Sequence, residues 1–142
     1  MLDGATARVS LKGALAGVRV LVVDDDEDVR DVLRLTLEHL GAEVRTAASA
    51  NEALAAIDSA LPDVLLSDLA MPDEDGCSLI RQVRSREKDR GGTLPAAAVT
   101  AHSCEDEFDR AKDAGFNLCL RKPLDVSGVA KIVEQLLAQP SR

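Results

Sequence analysis

The sequence predicts an α/β domain in which five parallel strands form one sheet with helices on both faces. Short apolar runs alternate along the chain with segments whose apolar residues recur every three or four positions. Several runs, such as 20–23 and 64–66, are continuously apolar, which is typical of strands buried on both faces of a parallel sheet. The chain has 142 residues, of which 46% are apolar, and this suits one domain with a single sizeable core.

The first half of the chain supplies three strands and two helices. The run VRVLVV at 18–23 is the first strand, which three aspartates end. Apolar residues then recur at helical spacing and predict one buried stripe: Val29, Val32, Leu33, Leu37 and Leu40. Gly41 stands where a left-handed residue would end this helix. Residues 43–47 form the second strand, residues 49–52 have the spacing of a capping box that opens the second helix, and residues 64–68 form the third strand.

The second half continues the alternation. A third helix ends near Ser85, residues 96–100 form the fourth strand, a helix runs from about Ser103 to Ala114, and residues 117–121 form the fifth strand. The last helix carries an amphipathic set: Val129, Ile132, Val133, Leu136 and Leu137. We therefore predict a flavodoxin-like (βα)5 doubly wound sandwich with a five-stranded parallel sheet in the order 2-1-3-4-5.

The domain is predicted to span residues 18–138. Residues 1–17 are small and polar with three glycines, so they are interpreted as a leader or linker rather than core, and residues 139–142 as a tail.

Composition argues against several classes of protein. The net charge is −8, the basic residues are interspersed with acids, and the aromatics number only two, so a nucleic-acid surface is not expected. No apolar run approaches the roughly 20 residues of a membrane span, and the first residues lack the apolar middle of a secretory signal, so a cytoplasmic location is expected. The three cysteines show no metal-ligand spacing, which predicts reduced thiols and no zinc site.

Polar side chains follow the predicted strands at the points where the strands end. Asp24 and Asp25 follow the first strand, Asp68 ends the third, Thr100 the fourth, and Lys122 follows the fifth. In the order 2-1-3-4-5 the first and third strands are neighbours, so their three carboxylates should converge at the carboxyl edge of the sheet. Close carboxylates repel one another unless a cation lies among them, and oxygen ligands with room for water suit Mg²⁺. A metal, a hydroxyl and an ammonium group together suggest phosphoryl transfer.

Four segments carry a resemblance to a known family. VLVVDDDEDVR at 20–30, LLSDLAMPDEDG at 65–76, AVTA at 98–101 and RKP at 121–123 resemble the receiver (phosphoacceptor) domain of two-component response regulators. The resemblance covers residues 18 to about 138, and the sequence looks most like the receivers of hybrid sensor histidine kinases. It implies a signalling switch that is not a conventional enzyme and catalyses only its own phosphorylation and dephosphorylation.

The resemblance implies a phosphoacceptor and a Mg²⁺ site. Asp68 would accept a phosphoryl group from a phosphohistidine and would also ligate the metal. Asp25 would bind Mg²⁺ directly, Asp24 largely through water, and the backbone carbonyl of Ala70 would be a further ligand. Asp26, the third acid of the run, is interpreted as a helix cap.

The resemblance also implies how phosphorylation is sensed. Thr100 would hydrogen-bond to one phosphoryl oxygen and Lys122 would pair with another, while the small Ala101 would leave access to the site. His102 would tune loss of the phosphoryl group, and an exposed loop histidine without a role is the alternative. Cys119 stands three residues before Lys122, where many receivers carry an aromatic or histidine, so the usual coupling of threonine and aromatic ring is in doubt.

The expected partner is a histidine kinase or a histidine phosphotransfer protein, and a homodimer could form through the fourth helix, fifth strand and fifth helix. The chain ends just after its last helix, so no fused output domain is expected, and both a stand-alone receiver and the end of a larger sensor kinase stay open.

One rival is an interaction module of the same fold that does not depend on phosphorylation. A second rival, a small flavodoxin-like enzyme or nucleotide binder, is disfavoured by the lack of a glycine-rich phosphate loop and of aromatics.

Overall fold

Five parallel strands form the centre of the molecule. The computed structural model describes residues 13–69, 76–100, 104–122 and 125–138. The strands are β1 (Arg19–Val23), β2 (Glu43–Ala47), β3 (Val64–Asp68), β4 (Ala96–Thr100) and β5 (Leu118–Arg121). They form one sheet in the order β2-β1-β3-β4-β5, and every neighbouring pair is parallel. The predicted strand order is therefore confirmed.

Five α-helices in the described residues alternate with the strands. They are α1 (Glu27–His39), α2 (Ala50–Ser59), α3 (Gly76–Arg84), α4 (Cys104–Ala114) and α5 (Val126–Leu137), with a short 3₁₀ turn at Lys88–Arg90. Within the described ranges, each helix is too short or too polar to cross a lipid bilayer. The doubly wound (βα)5 architecture is as predicted.

The core has two halves, one on each face of the sheet. Leu21 and Val23 of β1 pack with α2, α3 and α4, while Val20 and Val22 pack with α1 and α5. This alternation follows from the period of two along a strand. All residues of β3 and β4 are buried, as continuous apolar runs predict. The central strands are thereby held on both faces, and their carboxyl ends are fixed in place.

The helix ends follow the predicted capping chemistry. Asp26 is the N-cap of α1, where its carboxylate accepts a hydrogen bond from the Asp28 N–H at 2.9 Å. The Ser49 hydroxyl accepts from the Glu52 N–H at 3.2 Å at the start of α2, and Glu52 in turn accepts from the Ala48 N–H at 3.0 Å. Gly41 follows α1 with φ of +100°, the left-handed conformation that favours glycine.

The structure corrects the sequence interpretation in three places. Leu15 lies in the segment interpreted as leader or linker, yet it is fully buried beside α1 and its N–H donates to the Leu40 carbonyl at 3.0 Å. Val32 was placed on the buried stripe of α1 but is 53% exposed, because successive residues point about 100° apart on a helix and Leu33 takes the inward direction. Leu137, at the end of α5, is likewise 43% exposed.

Arg84 connects three segments at the amino edge of the sheet, opposite the strand ends that carry the acids. Its guanidinium donates to the carbonyls of Gly115 at 2.9 Å and Gly92 at 3.3 Å, and to the side-chain oxygen of Asn117 at 3.0 Å. The same Asn117 oxygen accepts from the Ala96 N–H at 2.9 Å. One half-buried side chain thus holds the end of α4 and the beginnings of β4 and β5 together.

Gly76 packs against the backbone at the end of β3. Its N–H donates to the Leu69 carbonyl at 2.9 Å. A Cβ atom at position 76 would lie 2.2 Å from the Asp68 carbonyl oxygen and 3.0 Å from the Leu69 Cα. Only glycine permits this close approach of the first residue of α3 to Asp68.

Arg84→Met should lower the free energy of unfolding by about 1–3 kcal/mol, because carbonyl groups at the amino edge lose a charged donor. Arg81→Met on the exposed side of the same helix removes the same charge and should change stability by less than about 0.5 kcal/mol. Urea unfolding followed by circular dichroism measures both, since the chain has no Trp or Tyr for fluorescence. Equal losses in the two variants would contradict the bracing role of Arg84.

Gly76→Ala should destabilise the protein by about 1–3 kcal/mol, because the added methyl group must displace the backbone of Asp68. Helix propensity alone predicts the opposite sign, since alanine favours a helix over glycine by about 1 kcal/mol. Thermal unfolding distinguishes the steric effect from the gain in helix propensity. A melting temperature equal to or above that of the wild type would show that the close contact with Asp68 does not exclude a methyl group at position 76.

Candidate functional site

Three carboxylates meet at the carboxyl edge of the sheet. Asp24 follows β1, Asp25 begins the turn toward α1, and Asp68 is the last residue of β3. One carboxylate oxygen from each residue lies within 4.8 Å of the others. Asp24 is 1% exposed and Asp68 7% exposed, whereas Asp25 is open to solvent. The convergence expected from the strand order is therefore found.

Lys122 supplies positive charge to this cluster. Its ammonium nitrogen lies 3.3 Å from Asp24 Oδ2 and 3.9 Å from Asp68 Oδ1. The Lys122 N–H donates to the Thr100 carbonyl at 2.8 Å, which continues the pairing of β4 with β5 for one residue. Lys122 thereby links the end of β5 to the ends of β1, β3 and β4. Thr100 is buried at the same edge.

The turn between β1 and α1 is held by main-chain and side-chain hydrogen bonds. The Asp24 N–H donates to the Ala47 carbonyl at 3.1 Å, and its carbonyl accepts from Arg30 Nη1 at 2.8 Å. Asp24 Oδ1 accepts from the Asp26 N–H at 2.9 Å while Oδ2 faces Lys122. Both oxygens of this buried carboxylate are therefore engaged, and its orientation is well defined.

The backbone around Asp68 is held as firmly. The buried Ser67 hydroxyl donates to the Asp68 carbonyl at 3.0 Å, and the Leu69 N–H donates to the Val99 carbonyl at 3.2 Å. With Gly76 packed directly on the Asp68 carbonyl, the residue is fixed from the side of α3 as well. Asp68 thus stands on a rigid strand end rather than on a loop.

The donor set fits a magnesium ion. Mg²⁺ prefers oxygen ligands and keeps several waters, and it commonly uses one or two protein carboxylates. The cluster offers three carboxylates, two of them buried, and the exposure of Asp25 leaves the site open to water. A divalent cation bound among the carboxylates would also relieve their mutual repulsion.

Some predicted site residues lie outside the described part of the chain. These are Ala70, Ala101 and His102. Cys119 is described: it is partly buried on β5, pairs in register with Ala98, and packs on the face of the sheet that α2, α3 and α4 cover.

Sequence reasoning missed three supporting residues. Arg30 was quoted in a motif without a role, Ser67 was taken as part of a strand, and Gly76 as a loop residue. Ser67 could have been noticed, because a hydroxyl within a buried apolar run needs a partner. The bond of Arg30 back to Asp24 depends on the path of a long side chain and has no comparable signal in the sequence.

A family model described as "Response regulator receiver domain" matches residues 20–134. An uncharacterized 14.6 kDa protein of Leptolyngbya boryana is 47% identical over 121 residues, which is 85% of this chain and 91% of that protein. The DNA-binding transcriptional regulator NtrC of Salmonella typhimurium is 40% identical over 119 residues, 84% of this chain. The chain spans only 24% of that regulator's length.

Solved structures agree with this match. The chemotaxis protein CheY4 of Vibrio cholerae superposes with a TM-score of 0.80 at 31% identity over 86% of this chain and 100% of that one. A putative response regulator from Chloroflexus aurantiacus gives 0.81 at 36% identity, over 87% and 99% of the two chains. The receiver domain of sensor histidine kinase PA1611 from Pseudomonas aeruginosa, described with a magnesium ion coordinated in its active site cleft, gives 0.79 at 27% identity over 87% and 100%.

These relatives include a chemotaxis protein, a transcriptional regulator and a sensor kinase receiver, so the hybrid-kinase type stays a prediction. The family itself is shown by the match over most of the chain, by the fold, and by relatives similar along nearly the whole domain. The chain belongs to the response regulator receiver domain family of two-component signalling.

Proposed function

We propose that this receiver takes a phosphoryl group onto Asp68 from the phosphohistidine of a histidine kinase or histidine phosphotransfer protein, in a Mg²⁺-dependent reaction. The observation that carries the proposal is the meeting of three carboxylates with the Lys122 ammonium at the ends of β1, β3 and β5. A nucleophilic carboxylate, a cation-binding group and a fixed positive charge are the parts that phosphoryl transfer needs.

The transfer is a displacement at phosphorus. A carboxylate oxygen of Asp68 forms a bond to phosphorus while the bond from phosphorus to the donor imidazole nitrogen breaks. The electron pair stays on that nitrogen, and the product is an acyl phosphate on Asp68. Attack of water on the phosphorus atom later returns the carboxylate and releases inorganic phosphate, so the chain catalyses only its own modification.

Four groups would hold the metal: the carboxylates of Asp24, Asp25 and Asp68 and the backbone carbonyl of Ala70. Asp25 is the direct ligand in this proposal, and Asp24, which is buried and already engaged on both oxygens, contributes largely through water. When bound, Mg²⁺ neutralises charge on the carboxylates and on the phosphoryl oxygens. Lys122, whose ammonium nitrogen lies 3.9 Å from Asp68 Oδ1, would pair with a further phosphoryl oxygen.

In this proposal, residues near Asp68 detect its phosphorylation. The Thr100 hydroxyl would bond to a phosphoryl oxygen, the small Ala101 would leave room for the group, and His102 would tune its hydrolysis. The phosphorylated chain would change its interaction surface on α4, β5 and α5, through which a homodimer would form. Cys119 lies on β5, the strand of this surface, and its small side chain packs against the half of the core that α2, α3 and α4 cover.

Incubation with acetyl phosphate and Mg²⁺ should add the mass of one phosphoryl group to the intact protein. Asp68→Asn should add none, because an amide oxygen is a poor nucleophile. Intact mass spectrometry at acidic pH, with tandem mass spectrometry to locate the group, measures both. An unmodified wild type under these conditions would favour the phosphorylation-independent interaction module, and an equal adduct on Asp68→Asn would assign the nucleophile elsewhere.

Mg²⁺ should raise the melting temperature, because the ion binds the folded cluster and has no matching site in the unfolded chain. At a concentration about 100 times the dissociation constant, linkage gives about 2.7 kcal/mol of added stability. Asp25→Asn should reduce the rise, since it removes the exposed carboxylate, whereas Asp31→Asn on the exposed side of α1 should retain it. Differential scanning calorimetry measures the shifts, and equal shifts in both variants would place the ion elsewhere.

A further inference from the structure

Arg30 makes a contact at the acidic turn that the family match does not explain. It lies in the first turns of α1, and its Nη1 donates to the Asp24 carbonyl at 2.8 Å. The bond is partly buried and runs back across six residues, so it closes the turn that contains Asp25 and Asp26. The main chain of the same turn is also tied by the Arg30 N–H, which donates to the Asp26 carbonyl at 3.0 Å.

The Asp24 carbonyl lies where the sheet ends. The register of β1 with β2 ends at Val23 and Ala47, and the Asp24 N–H makes one more bond, to the Ala47 carbonyl. A continued β2 would next offer the Ser49 N–H, but Ser49 is the N-cap of α2 and the chain turns away there. The guanidinium of Arg30 thus satisfies a carbonyl group that the sheet no longer reaches.

This carbonyl belongs to the peptide unit that joins Asp24 to Asp25. A peptide unit is planar and rigid, so holding its oxygen also sets the direction in which the chain enters Asp25. Asp25 is exposed, and packing therefore does little to orient it. Arg30 holds that peptide from one side, and the Asp26 N–H, bonded to Asp24 Oδ1, holds the next one.

We propose that Arg30 is a positioning residue for the metal site, which orients the Asp25 carboxylate through the backbone of Asp24. The inference rests on the proposed function, since it concerns Mg²⁺ binding by the same carboxylates. Arg30 acts through its neighbours and would not itself contact the metal or the phosphoryl group.

The sign of the mutational effect separates positioning from simple charge. A guanidinium near the carboxylates repels a divalent cation, so loss of its charge by itself should strengthen Mg²⁺ binding. Loss of a group that orients a ligand should weaken binding, and such partners of metal ligands are typically worth about 10–100-fold in affinity. The two explanations therefore predict opposite changes.

The experiment compares Arg30→Met with Arg34→Met. Arg34 lies one turn further along α1 and pairs at the surface with Asp31 at 3.8 Å and Glu38 at 3.3 Å. Its replacement therefore removes the same charge while the hydrogen bonds of the turn stay intact. Titration with Mg²⁺ alone, followed through amide NMR signals, gives the affinity of each variant. We expect about tenfold weaker binding for Arg30→Met and little change for Arg34→Met. Equal or tighter binding in Arg30→Met would overturn the inference.

A kinetic readout excludes a general loss of structure. With phosphoramidate as donor, Arg30→Met should need more Mg²⁺ for half-maximal phosphorylation, while the limiting rate at saturating Mg²⁺ should stay close to that of the wild type. Arg30→Lys keeps the positive charge and a hydrogen-bond donor, so its Mg²⁺ requirement should lie between those of the wild type and Arg30→Met. If Arg30→Met does not fold, Arg30→Lys carries the same test, and a Mg²⁺ affinity equal to wild type would then count against positioning.

The two proposals can fail separately. A wild-type chain that binds no Mg²⁺ and accepts no phosphoryl group would overturn the proposed function itself. A wild-type chain that does both, with Arg30 and Arg34 variants alike in Mg²⁺ affinity, would overturn only the role of Arg30.

Discussion

The ammonium group of Lys122 partly neutralises the carboxylates that the strand order brings together. Asp24 is almost fully buried, and a buried carboxylate without a nearby cation would be strongly destabilising. The strand order places β1 beside β3, and β5 lies two strands beyond β3, yet the long Lys122 side chain from the end of β5 reaches both acids. The rest of the site depends on this partial neutralisation, because it lets three carboxylates stand close together at the end of the sheet.

At the carboxyl edge of the sheet, Asp68 is held by buried structure, whereas Asp25 is exposed to solvent. Asp68 stands on a fully buried strand, with its backbone held by Ser67 and by the close contact of Gly76. Asp25 stands on an exposed turn that hydrogen bonds, rather than packing, keep in shape. Under the proposed function, this division would keep Asp68 in place as the nucleophile while the metal and the phosphoryl donor arrive from solvent.

The sequence predicted the sheet and the convergence of the acids because both follow from strong patterns. The period of the apolar residues defined β1 and β3, and the strand order then placed Asp24 beside Asp68. Leu15 was missed because it lies among alanines and glycines that give no periodic pattern, and its N–H bonds to the end of α1, far along the chain. Val32 was misplaced because spacing alone does not define the width of a buried helical stripe. Arg30 carried no signal, since a side chain that folds back on its own turn leaves no periodic trace.

The contact between Leu69 and Gly76 closes the segment between β3 and α3 at its base. Both anchor points use main-chain atoms, so they do not depend on which side chains stand at 70–75. Replacing residues 70–75 with those of another receiver would therefore leave both anchor points, and with them the position of Asp68, in place.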